Sequence, residues 1–318
     1  MSLYYGLSAE LQLLSVSFLS IAMQSNTFAN CSVRASADLG GNAYGGAVSL
    51  YIGAYSSAYF STGAAVAAVG DTVVRDVNVT LDTVEFKSCS AIRERKQLLS
   101  SFGANVYGGS YSFYIGSYSS SFSSSSSSDS SSTCGSTNAS GITVCVQNTT
   151  SVDCSAISTS GSQSYGANSY GGSMSVLLVG AYSWSYSSSG YSNSVCEFTS
   201  ASDVSVHVSG SGCSNCSAIS TSGANSYGAN SYGGALSAAF VGAYSYGYEI
   251  ENYAAIQAFV TTTQVVRLSV VIQDSIIVDA EAASGEYCST RSIPPRTGLT
   301  LSVSIVRRLL RSQCECFR

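Results

Sequence analysis

The sequence predicts an all-β, parallel β-helix (solenoid) fold, and three observations carry that expectation. A cassette returns four times, as Gly41-Asn-Ala-Tyr-Gly-Gly-Ala-Val, Ala104-Asn-Val-Tyr-Gly-Gly-Ser-Tyr, Ala167-Asn-Ser-Tyr-Gly-Gly-Ser-Met and Ala229-Asn-Ser-Tyr-Gly-Gly-Ala-Leu. Its Gly-Gly pairs begin at Gly45, Gly108, Gly171 and Gly233, so the period is 63, 63 and 62 residues. Such regularity marks a repeat architecture in which each unit buries its apolar face on the next. Around the cassettes the apolar residues alternate with period two, as half-buried strands do. The two prolines, Pro294 and Pro295, lie outside the repeats, so no ladder hydrogen bond is lost to a missing N–H.

Taken in chain order, the segment from Leu11 to Ala22 is apolar but follows Glu10 and has no basic leader. Because it aligns with Val73 to Leu81 one repeat later, it reads as a strand rather than a signal-peptide core, and the chain then begins inside its first repeat. Three segments make up each repeat. One alternates, as in Leu14-Ser-Val-Ser-Phe, Val77-Asn-Val-Thr-Leu and Val204-Ser-Val-His-Val. The next carries a Cys-Ser motif at Cys31, Cys89, Cys154 and Cys216. The third runs from the cassette to Gly-Ala-Tyr-Ser or a near variant, as in Leu50-Tyr-Ile-Gly-Ala-Tyr-Ser and Phe240-Val-Gly-Ala-Tyr-Ser.

One third of a repeat is about 21 residues, a plausible coil length. The expectation is therefore four repeats of about 62 residues with three coils each, about 15 coils in all, rising about 4.8 Å per coil to roughly 70 Å. The solenoid domain would span residues 1–290, with repeats at about 27–84, 85–152, 153–214 and 215–285. Residues 291–318 hold Arg291, Arg296, Arg307, Arg308, Arg311 and Arg318, and they would form a basic cap or tail. The serine run from Ser119 to Ser132 reads as an inserted loop, either plain or O-glycosylated.

The Gly-Gly-Ala/Ser-apolar cassette, with Phe28-Ala29-Asn30 before Cys31, resembles the repeats of the polymorphic outer-membrane-protein family and of Ser/Gly/Tyr-rich surface proteins of algae and protists. The match covers about residues 10 to 285. Phe86-Lys-Ser-Cys departs from the second motif, and the autotransporter barrel of the bacterial family is missing. The resemblance implies a right-handed parallel β-helix and a cell-surface role in adhesion or as structural material. Fold transfers from such a likeness more readily than function.

The glycine pairs Gly45-Gly46, Gly108-Gly109, Gly171-Gly172 and Gly233-Gly234 read as solenoid corners that need positive φ and close backbone approach. They do not continue into a phosphate-binding loop. Eleven cysteines point to an oxidising compartment and leave at least one thiol over. With three coils between them, the motif cysteines would stand about 14 Å apart, too far to bond. Cys134 with Cys154, and Cys196 with Cys216, each 20 residues apart, are then the disulfide candidates, against buried thiols in a ladder. Cys213 and Cys216 have half the spacing of a zinc site, but the single histidine, His207, leaves the ligand set short. The Cys314-Glu-Cys316 pair stays open between a disulfide, an intermolecular link and thiols.

Sequons stand at Asn30, Asn78, Asn138, Asn148 and Asn215, so covalent glycans are expected and no other cofactor or metal. Asn30 and Asn215 hold one repeat position and should share one orientation. The net charge of −5, with its basic residues gathered at the tail, argues against a nucleic-acid groove. No run of apolar residues is long enough for a membrane span. Polysaccharide lyases and hydrolases share this fold class, yet the carboxylate pairs Asp71/Asp76 and Asp279/Glu281 recur in no other repeat, so an enzyme is not expected.

A structural or binding role remains. The first expectation is an extracellular structural glycoprotein whose rods stack end to end, since a solenoid's open ends invite pairing and head-to-tail contact does not close. The alternative is a cell-surface adhesin or carbohydrate-binding rod using Tyr55, Tyr118, Tyr182, Trp184 and Tyr244 to stack on sugars. The same aromatics also read as a ladder that stabilises the stack.

Overall fold

A computed structural model gives the structure of the chain. It describes residues 2–9, 14–35, 42–60, 66–93, 105–123, 130–160, 168–187, 192–196, 198–222, 231–249, 257–260 and 263–285. All 28 elements among them are strands, arranged in six parallel sheets.

Sheet A holds the long strands Ser2–Ala9, Val48–Phe60, Tyr111–Ser123, Met174–Ser187 and Leu236–Glu249. Sheet B holds Leu14–Gln24, Thr72–Asp82, Thr137–Gln147, Thr199–Ser209 and Thr263–Gln273. Three-residue strands at Thr27–Ala29, Glu85–Lys87, Thr150–Val152, Gly212–Ser214 and Ile276–Val278 form sheet C. Sheet D follows at Ser32–Ala35, Ser90–Arg93, Ser155–Ser160, Ser217–Ser222 and Glu281–Gly285. Sheet E is built from the pairs Ala43–Tyr44, Val106–Tyr107, Ser169–Tyr170 and Ser231–Tyr232, and sheet F from Val66–Val69, Ser130–Cys134, Ser192–Cys196 and Gln257–Val260.

The pairing corrects the expected coil. Leu14, Thr72, Thr137, Thr199 and Thr263 are successive partners in sheet B, so the stacking step is 58, 65, 62 and 64 residues. A whole repeat, rather than a third of one, makes one tier, and the chain passes through sheets E, A, F, B, C and D before it meets itself. The expectation of three coils per repeat and about 15 coils fails here. Five tiers at about 4.8 Å span only about 24 Å. The reason is that the three segments of a repeat differ in pattern, so no segment can pair with the next and keep its inward face. Whole-repeat stacking instead aligns like with like: Gly53, Gly116, Gly180 and Gly242 stand in one register.

Local conformation is set in columns. Every tier turns the same corners with left-handed residues. Asn30, Ser88, Asp153, Asn215 and Asp279 form one column, with φ between 50° and 55°. Ser25, Thr83, Asn148, Gly210 and Asp274 form a second, and Phe18, Asp76, Gly141, Asp203 and Arg267 a third, within sheet B. Asn, Asp and Gly dominate because their side chains tolerate this region.

The core lies between sheets A, B and C. Val48, Leu50, Ile52, Phe113, Ile115, Val77, Val79, Leu81, Ile142 and Val144 are fully buried in it. Towards sheet F the interior turns polar, and hydroxyls satisfy one another: Ser119 with Thr137 at 2.6 Å, Ser183 with Thr199 at 2.6 Å, and Ser132 donating to Ser121 at 2.7 Å.

Candidate functional site

The Gly-Gly pairs divide their work. Gly45, Gly108, Gly171 and Gly233 carry φ between 51° and 64°. A Cβ on the second glycine of a pair would strike the next tier: at Gly109 it would collide with Gly172 O and lie 2.6 Å from the Ser155 backbone. Gly46 meets Gly109 and Ser90 in the same way, and Gly172 meets Gly234 and Ser217.

Four sequons are exposed on the surface of the strands and corners: Asn30, Asn78, Asn148 and Asn215. Asn30 and Asn215 share one corner column and both face out. Asn215 donates to Asp153 Oδ1 at 2.7 Å, and Asn148 donates to Asp82 Oδ1 at 3.2 Å. Asn138 differs, being half-buried and accepting from Ser200 Oγ at 2.6 Å.

The cysteines overturn two expectations. Cys31, Cys89, Cys154 and Cys216 stand in adjacent tiers, since Ser90 N, Ser155 N and Ser217 N donate to Cys31 O, Cys89 O and Cys154 O at 2.8–2.9 Å. They are one stacking step apart, not three. The candidate pairs Cys134 with Cys154 and Cys196 with Cys216 are not formed: Cys134 is in register with Cys196 in sheet F, and Cys216 is bonded to Cys213. Cys31, Cys89, Cys134, Cys145, Cys154 and Cys196 are thiols. The 20-residue spacing misled because it measures the path from sheet F to the end of sheet C within one tier. Cys288, Cys314 and Cys316, with the tail at 291–318, lie outside the described residues, as do residues 124–129 of the serine run.

A hydrogen bond shared with Cys89 pulls the Cys154 thiol down to about 7, while the same contact and burial push Cys89 up. Burial, then the in-register Cys196 thiol, raises Cys134. Among the described residues no group of three or more His, Cys, Asp or Glu is placed to hold a metal ion. His207 lies half-buried in sheet B beside Cys145, on the face that alternates with Val204, Val206 and Val208.

The aromatics stack on themselves. Tyr55, Tyr118, Tyr182 and Tyr244 form a column with ring centroids 4.7, 5.1 and 5.3 Å apart. Tyr51 covers Tyr114 at 4.4 Å, Tyr59 and Tyr186 sandwich Phe122, and Tyr44, Tyr107, Tyr170 and Tyr232 make a further ladder. Trp184 leans on Tyr186 at 6.2 Å. Ring faces inside a column are thus occupied, leaving sugars only ring edges and the last ring, Tyr244. The sequence missed the partner of each ring, although the recurrence of Tyr at one repeat position was the signal.

No family model, no curated protein and no solved structure matches this chain. Among the described residues no helix is long and apolar enough to cross a membrane.

Proposed function

We propose that the chain is an extracellular structural glycoprotein, a right-handed β-solenoid of whole-repeat tiers whose copies stack end to end into a filament or surface layer. One observation carries this reading: the core columns run out to both end tiers and stay open there. Phe28 begins the column that Ile277 ends, Leu19 the column that Leu268 ends, and Met23 the column that Ile272 ends. Ile277 is 43% exposed and Val278 42%, while Phe18 in the first tier is 82% exposed. A second copy set head to tail would bury Ile277 on Phe28 and extend sheets B and C in register, a heterologous contact without closure.

The four outward sequons and the Cys213–Cys216 disulfide support export, and the resemblance to surface-protein repeats points the same way. Sugar binding along the flank is the weaker reading because the tyrosine faces are covered. Electron microscopy of the glycosylated protein over a concentration series tests the proposal. Fibres with an axial repeat near one molecule, about 24 Å for five tiers, are expected. Their loss in an Ile277→Lys variant that stays folded would tie them to the end tier. Dispersed particles at every concentration overturn end-to-end assembly.

A further inference from the structure

We propose that the buried cysteine column is a site of internal thiol–disulfide exchange, in which Cys154 displaces Cys213 from its disulfide and becomes bonded to Cys216. Cys154 and Cys216 precede the register partners Ser155 and Ser217, whose strands pair directly in sheet D. Neighbouring parallel strands are about 4.8 Å apart, inside the Cα range of a disulfide. Cys216 Sγ lies 3.6 Å from Ser151 O, so it leans towards the tier of Cys154. Cys154 and Cys216 are fully buried and Cys213 is 8% exposed, which keeps competing thiols away.

The step balances within the chain. The Cys154 thiolate attacks Cys216 Sγ, the Cys213–Cys216 bond breaks, and its electron pair leaves on Cys213. Cys213 takes up a proton equivalent to the one Cys154 has lost, and no external oxidant or reductant is consumed. Thiolate is the reactive form, and Cys89 beside Cys154 keeps the shared proton; the Tyr111 phenol is the other titratable group recorded against Cys154. The product differs in kind from the reactant. A bond spanning 3 residues becomes one spanning 62, fastening two tiers that only hydrogen bonds and packing joined before.

Disulfide mapping by mass spectrometry tests this. The full chain is held at about pH 8, quenched in acid, unfolded, alkylated and digested with pepsin. Expected is a peptide pair joined through Cys154 and Cys216, rising several-fold over the incubation, with Cys213 becoming the alkylated cysteine. The Cys154→Ser variant should keep only the Cys213–Cys216 bond. An undiminished Cys213–Cys216 bond with alkylated Cys154 in the wild type overturns the proposal, as does the absence of both bonds. Because the wild-type map decides alone, a misfolded variant leaves the result intact.

Discussion

Gly171 is held by two constraints at once. Its φ of 62° lies in the left-handed region, and a Cβ would collide with Met174 O. Gly171→Ala should therefore cost about 3 kcal/mol or more, seen as a lower guanidinium midpoint. Thr83 offers the opposite case, since a β-branched residue sits exposed at φ 55° in a column shared with Asn148 and Gly210. Thr83→Asn should gain about 1 kcal/mol and raise the melting temperature by a few degrees, because Asn tolerates that conformation. The contrast also explains what could be read from residues alone. Gly45, Gly108, Gly171 and Gly233 announce their corner because one residue type holds it throughout. The other corners are filled by Asn, Ser, Asp, Thr, Gly, Phe and Arg, so composition hides them until the tiers are laid over one another.

At the scale of strands and ladders, Tyr118 is sandwiched between Tyr55 and Tyr182. Each stacked pair is worth about 0.5–1.5 kcal/mol beyond its buried area. Tyr118→Ala should lose about 3 kcal/mol in denaturant melts, and Tyr118→Phe should stay within about 1 kcal/mol. Burial also holds the Tyr107, Tyr111, Tyr114 and Tyr118 phenols above their usual range. Since the folded values are the higher ones, this stabilisation is complete below the unfolded value of about 10 and is lost as pH rises beyond it. An alkaline titration should show strand signal and phenolate absorbance changing together above about pH 10; phenolate formation with the fold intact would count against it. The strands themselves were legible because alternation names the buried face. Their partners were not, because alternation says nothing about which strand lies alongside, and the three unlike segments of a repeat were taken for three stacked coils.

For the whole molecule, the spacing between sheets is the telling quantity. Strands of sheet C begin 13 residues after those of sheet B, and strands of sheet D begin 5 later, in all five tiers. Removing residues 155–216 excises one stacking step of 62 and joins Cys154 to Ser217, recreating the Cys-Ser joint. That shortened chain should fold cooperatively with lower stability, as nearest-neighbour stacking requires. Removing residues 196–216, about one third of a step, should abolish the fold by circular dichroism, because it takes a sheet B strand out of the middle of the stack. The four-repeat period was visible from the cassettes, whereas the closure of each tier depended on contacts between residues some 60 positions apart. The stacked rings have a final consequence, and it is optical. Tyr59, Phe122 and Tyr186 form a continuous column that ends beside Trp184, the only indole in the chain, and the Tyr55 to Tyr244 column runs along the same sheet. Ultraviolet light absorbed by the tyrosines is therefore handed from ring to ring and leaves as tryptophan emission, so the folded stack glows in one colour and the unfolded chain in two.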